Sequence, residues 1–120
     1  MSVPTTTPLR VLFCLGATQA FFDAPDEESA AVAEALEHAF ANLTNRFGVT
    51  VLGTLDDDRV SVGANTSWPW TSYVLVDAPD MDTVVAICDL VRETRVGQHR
   101  LWRYVRIEAR IGRPLFFGNR

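Results

Sequence analysis

The stretch Leu101-Trp102-Arg103-Tyr104-Val105-Arg106-Ile107-Glu108-Ala109-Arg110-Ile111 alternates two chemistries along its length. Leu101, Val105, Ile107, Ala109 and Ile111 occupy one set of positions, with Arg103 the exception. Trp102, Tyr104, Arg106, Glu108 and Arg110 occupy the other. Strand side chains point to opposite faces with period two, so the spacing predicts a strand over 101–111. Its aliphatic face suits burial under helices. Its other face joins two rings, two guanidiniums and a carboxylate, which suits a polar-lined cavity or a wet interface better than a dry core.

Upstream of that strand lies the material for the rest of a small fold. Residues 9–15, Leu-Arg-Val-Leu-Phe-Cys-Leu, are almost continuously apolar and read as a strand covered on both faces. Phe21 and Phe22 fall in a loop. Asp23, Pro25 and the acids Asp26, Glu27 and Glu28 mark a helix start, and Val32, Leu36, Ala39, Phe40, Leu43 and Phe47 repeat at helical spacing to Gly48. One helix over 24–47 is expected. Residues 49–55 read as a second strand, 60–63 as a short return and 71–77 as a third strand. Asp80 or Asp82 caps a second helix with Val84, Ile87, Cys88 and Val91 on its apolar stripe, and Gly97 is its expected stop.

The order is strand, helix, strand (with a possible hairpin), strand, helix, strand. That is the β-α-β-β-α-β pattern of the ferredoxin-like α+β fold, a four-stranded antiparallel sheet with both helices on one face. The opposite face is then open, and one way to close it is to pair two copies face to face. Residues 1–8 read as a frayed tail and 9–120 as one domain. The apolar run Leu115, Phe116 and Phe117 is expected to dock on the domain or on a partner. A homodimer is the expectation.

Composition narrows the function classes. The net charge of −4 argues against nucleic acid as a partner, because phosphates call for a basic surface. All eleven basic residues are arginine, read first as compositional bias. No apolar run is long enough to cross a bilayer and no signal-peptide pattern is present, so no membrane partner and a cytoplasmic location are expected. Cys14 and Cys88 read as two small buried thiols. Asp56, Asp57 and Asp58 read as an acidic turn with side-chain-to-backbone bonding, because the alternate ligands and closing glutamate of a calcium loop are missing. His38 and His99 have no partner at metal-binding spacing, so no metal site is expected. Trp68-Pro69-Trp70 forms a rigid apolar corner, either packing, an interface or a pocket wall.

The candidate site follows from strand parity. Trp102 and Tyr104, joined by Trp68 or Trp70, would stack a ring. Arg106 or Arg110 would hold a carboxylate or enolate through paired donors. Glu108 between two arginines, or His99 at the strand entrance, would move a proton, the glutamate serving as a base rather than an acid. The structural alternative is a ladder of Arg106, Glu108 and Arg110 across a dimer interface with no chemistry.

Four segments carry a family resemblance: residues 10–15, residues 48–59 (Gly-Val-Thr-Val-Leu-Gly-Thr-Leu-Asp-Asp-Asp-Arg), the Trp68-Pro69-Trp70 corner, and residues 101–118. On these the chain resembles the small darcynin-type proteins, which include the IacB-type protein found among genes for indole-3-acetate catabolism. It is also similar to the wider dimeric α+β barrel superfamily of cofactor-free monooxygenases, muconolactone-type isomerases, polyketide cyclases and haem enzymes. Neither resemblance brings an established catalytic residue set. It implies a small cofactor-independent enzyme of monooxygenase, isomerase or cyclase type acting on an aromatic or polyketide-like metabolite. The alternative is a non-catalytic binding or accessory protein of an aromatic degradation pathway. No cofactor is expected.

Overall fold

The computed structural model describes residues 7–59, 62–63 and 69–118. Four strands make the main sheet: β1 (Leu9–Ala17), β2 (Thr50–Asp56), β3 (Ser72–Ala78) and β6 (Val105–Gly112). They run antiparallel in the order β2-β3-β1-β6, so the apolar run that opens the chain becomes a central strand. The helices are α1 (Gln19–Asp23), α2 (Asp26–Ala39), α3 (Leu43–Phe47) and α4 (Met81–Glu93). A two-residue ladder, β4 (Arg95–Val96) with β5 (His99–Arg100), and a 3-10 turn (Leu101–Arg103) connect α4 to β6.

The cross-strand register shows which side chains share a face. Val11 lies opposite Val76 and Ile111, and Phe13 opposite Val74 and Ala109. Val11, Phe13 and Val76 are wholly buried and pack in one cluster with Val32 of α2, Leu43 of α3 and Val84, Ile87 and Val91 of α4. The major helices therefore cover the same face of the sheet, and the fold is the ferredoxin-like α+β arrangement expected from the element order.

Local chemistry explains the boundaries. Asp80 caps α4: its carboxylate accepts from the Thr83 backbone N–H at 2.8 Å and from the Thr83 hydroxyl at 2.7 Å. Those bonds hold the Asp80 carboxyl below the usual carboxylate range. Pro25 precedes α2, whose first turn holds Asp26, Glu27 and Glu28 against the positive end of the helix.

The single helix expected over 24–47 is divided. Helix α2 ends at Ala39, and Asn42, in the left-handed conformation with φ of 56°, turns the chain into α3 before Gly48, at φ of 71°, stops it. Arg46 bridges the break, its Nη1 donating to the Ala39 carbonyl at 2.7 Å and the Ala41 carbonyl at 2.8 Å. Phe21 and Phe22 belong to the short α1 instead of a loop.

Three further expectations change. Helix α4 ends at Glu93, and Gly97, with φ of 59°, turns the β4-β5 hairpin instead of stopping the helix. The strand predicted over 101–111 begins only at Val105. Of the short strand expected over 60–63, Val60 and Ser61 lie outside the described residues, while Val62 and Gly63 are not in a strand. The acidic turn has the expected form: the Asp58 N–H donates to Asp56 Oδ1 at 3.2 Å. Both cysteines are free, with Cys14 buried and Cys88 half-buried. Among the described residues, no helix is long and apolar enough to cross a membrane.

Candidate functional site

The face of the sheet away from the helices is assembled in rows across all four strands. One row reads Leu55, Tyr73, Cys14, Glu108, and the next reads Gly53, Leu75, Leu12, Arg110. Gly16 and Arg106 begin a third row at one end. Arg10 lies opposite Asp77 at the other end, with Arg10 Nε 2.6 Å from Asp77 Oδ1. The rows grade from apolar on β2 and β3 to charged on β6.

On the apolar side a trough of about 540 Å³ is lined by Leu12, Gly53, Thr54, Leu55, Asp57, Tyr73 and Leu75. Gly53 contributes no side chain and leaves the floor open: a Cβ placed there would meet nothing within 4 Å. Tyr73 closes one end, its hydroxyl donating to the Trp70 carbonyl at 3.0 Å with Asp57 Oδ2 at 3.3 Å. Burial, and then the Asp57 carboxylate, push the Tyr73 phenol up. Cys14, in the middle of its row, is also pushed up by burial, with Arg110 opposing and Glu108 reinforcing. That thiol stays protonated and makes a poor nucleophile.

On the charged side Arg110 Nε donates to Glu108 Oε2 at 3.0 Å, a bond that holds the guanidinium still more firmly protonated. Arg106 does not join them. It is half-buried, its Nη1 donates to the Trp102 carbonyl, and its guanidinium carbon lies 4.1 Å from the centroid of the Trp102 ring. A cleft of about 280 Å³ between Trp70, Arg106, Ile107 and Glu108 separates the two groups. The three-residue charge ladder is thus one ion pair and one arginine folded back toward the start of its own strand.

The residues that parity assigned to a single cavity are dispersed. Because the chain makes a 3-10 turn at 101–103, Tyr104 enters the helix-covered core, 1% exposed, and its hydroxyl donates to the Glu28 carboxylate. That bond pushes the phenol up. Trp102 is half-buried beside α4, with the Arg92 guanidinium 5.1 Å from its ring centroid. His99 is exposed and meets the Tyr104 ring edge-on at 6.3 Å. Glu108 and Arg110 stay on the open face, Arg106 and Trp70 lie at its margin, and Trp68 lies outside the described residues. Leu12, Tyr73, Leu75 and Leu55 were missing from the sequence-derived set. The alternation within 9–15 and 71–77 held the signal, but only the strand order joins those alternate residues to Glu108 and Arg110.

The face therefore offers a flat apolar floor bordered by a charge-paired guanidinium. It can hold a planar apolar body with an acidic substituent. No family model matches the chain, and no curated protein matches it. Among solved structures, a chain from Bacteroides fragilis NCTC 9343, described as a dimeric protein of unknown function and ferredoxin-like fold, aligns with a TM-score of 0.44 and 14% identity. The alignment covers 88% of this chain and 94% of that one.

Proposed function

We propose that the protein binds a planar acidic metabolite, of aromatic or polyketide-like type, on the open face of its sheet, in a chamber completed by a second copy. One observation carries the reading: the trough of Leu12, Leu55, Tyr73 and Leu75 shares its rows with the Glu108 and Arg110 pair. The apolar part accounts for a ring and the guanidinium for a carboxylate. A homodimer accounts for the exposed apolar groups. Leu55 on the face, and Leu115, Phe116 and Phe117 beyond β6, remain exposed, which leaves the tail available to a partner. The resemblance to darcynin-type proteins supplies a setting, the breakdown of an indole-3-acetate-type acid. Two unpaired cysteines fit the reducing cytoplasm.

A second reading makes the same face catalytic without a cofactor, by monooxygenase, isomerase or cyclase chemistry. Its support is Glu108, a carboxylate on the ligand face positioned by Arg110 and able to accept a proton. Binding ranks first because burial keeps both other reactive groups of the face, the Cys14 thiol and the Tyr73 phenol, in their protonated forms.

Titration with indole-3-acetate, followed by backbone amide NMR and by mass spectrometry of the ligand, tests both. Saturable shifts centred on Leu12, Tyr73 and Leu75 are expected, weakened about tenfold or more by Arg110→Gln. A ligand recovered unchanged supports the binding protein, and a new mass that Glu108→Gln abolishes supports the enzyme. Affinity unaltered by Arg110→Gln, or shifts confined to other residues, overturns the site.

A further inference from the structure

The positive charge of this acidic chain is concentrated. Five of its eleven arginines, Arg92, Arg95, Arg100, Arg103 and Arg106, fall within fifteen residues around His99. Arg92, Arg100 and Arg103 line one pocket of about 500 Å³ with His99 and Trp102. The last turn of α4, the β5 strand and the 3-10 turn form its walls. We propose that this pocket binds a phosphate-bearing small molecule, with the guanidiniums on the phosphate oxygens and the Trp102 indole beside the organic part.

Charge bookkeeping supports the assignment. Among the described residues the two ion pairs within 4 Å are Arg10 with Asp77 and Arg110 with Glu108, so none of the three pocket arginines meets a carboxylate at that distance. The end of α4 supplies some compensation, because a helix C-terminus carries roughly half a negative charge that acts within its last turn. That offsets part of Arg92; Arg103 and Glu28 both act on the Tyr104 hydroxyl, so Arg103 is partly offset as well, and Arg100 is left. Ring contacts of Arg92 with Trp102 and of Arg103 with Tyr104, at 5.1 and 5.9 Å, orient the guanidiniums without neutralising them. Glu28 already accepts the Tyr104 hydroxyl, and Asp89 and Glu93, the acids of α4 three residues before and one after Arg92, make no ion pair within 4 Å among the described residues.

The hairpin adds an independent sign. Arg100 lies directly opposite Arg95 in a ladder of only two residue pairs, where like charges destabilise. Arg95 lines a groove that also holds Glu34 and Glu37, whereas Arg100 lines the pocket with two more arginines. A monocarboxylate would offset one of these charges. A phosphate monoester carries about two at neutral pH, with three oxygens that suit planar guanidinium forks. The pocket lies apart from the sheet-face trough and shares none of its lining residues, so this inference stands without the preceding proposal.

The test is titration with inorganic phosphate and with phenyl phosphate at constant ionic strength, followed by the Trp102 indole and the amides of 99–103. Benzoate serves as a monoanionic control. Saturable binding is expected, tighter for phenyl phosphate than for phosphate and weakest for benzoate. Arg100→Gln and Arg103→Gln should each weaken it about tenfold, while Arg113→Gln, an exposed arginine beyond β6, leaves it unchanged. Melting curves identify any variant that misfolds, and Arg100→Gln, on an exposed hairpin, keeps the test decisive if Arg103→Gln does not fold. Non-saturating shifts, equal binding of benzoate, or equal weakening by Arg113→Gln would overturn the site and reduce it to general attraction by a basic surface. The amides of Leu12 and Leu75 report the sheet face separately, so either site can fail alone.

Discussion

The helix-covered and open faces of the main sheet are built from alternate residues of the same strands, and they solve different problems. On the covered face Val11, Phe13 and Val76 have no exposed surface. On the open face Leu12, Tyr73 and Leu75 are half-buried, Leu55 is exposed, and charges line one margin. The covered face is complete within one chain. The open face carries apolar surface and charge side by side, and among the described residues no helix covers it. Stability is therefore invested on one side of the sheet, and the other is left to the binding proposed above.

Truncation on the covered face should have the largest effect. Phe13→Ala empties the centre of the core and is expected to cost about 3–5 kcal/mol in urea unfolding. A loss below about 1 kcal/mol would mean that the covered face is not where the stability resides. On the open face, Leu75→Glu is expected to leave the far-ultraviolet spectrum intact and to change monomer stability by no more than about 1 kcal/mol. It should also abolish self-association in sedimentation. A variant that still dimerises would separate the open face from the interface and leave the apolar tail to form it.

The smallest effect concerns the boundary between core and solvent. Tyr104 donates to Glu28, so its folded-state value lies above that of the unfolded chain. A raised value contributes stability that is complete below the unfolded phenol value, about 10, and is lost as pH rises through the folded one. Melting curves from about pH 8 to about pH 11 should therefore fall more steeply for the native chain than for Tyr104→Phe. Parallel curves would show that the bond contributes nothing to the pH dependence. Tyr73 and the two thiols are also pushed up, so the difference between variants isolates Tyr104.

Most of the frame was legible before the structure. Four strands and the helices between them follow from periodicity, and their order leads to the sheet topology. The errors share a cause. Leu101 and Tyr104 are three residues apart and both buried, which a turn with three residues per revolution satisfies, although the polarity of 101–111 also fits a strand. The apolar stripe of the first helical region runs through Asn42 without a fault, because a local left-handed residue leaves its spacing unchanged. The candidate face was half legible: Glu108 and Arg110 follow from parity, but Leu12, Tyr73 and Leu75 become their neighbours only through strand pairing. One strand carries no record of which strand lies beside it.

The bulge in β2 has a consequence for solubility. Among the described residues the sheet ends at β2 on one side and β6 on the other, and such edges offer unpaired backbone groups to passing chains. Exposed Glu108 and Arg110 guard β6 with charge. From Thr50 to Leu55, β2 has no charged residue and is exposed throughout, the kind of segment that templates runaway strand addition. The register shift between Val51 and Gly53 inserts Leu52 as an unmatched residue and breaks the flat repeat that an incoming strand would copy. One extra leucine thus does by geometry for β2 what two charges do for β6, and it opposes polymer growth without placing a charge within 50–55.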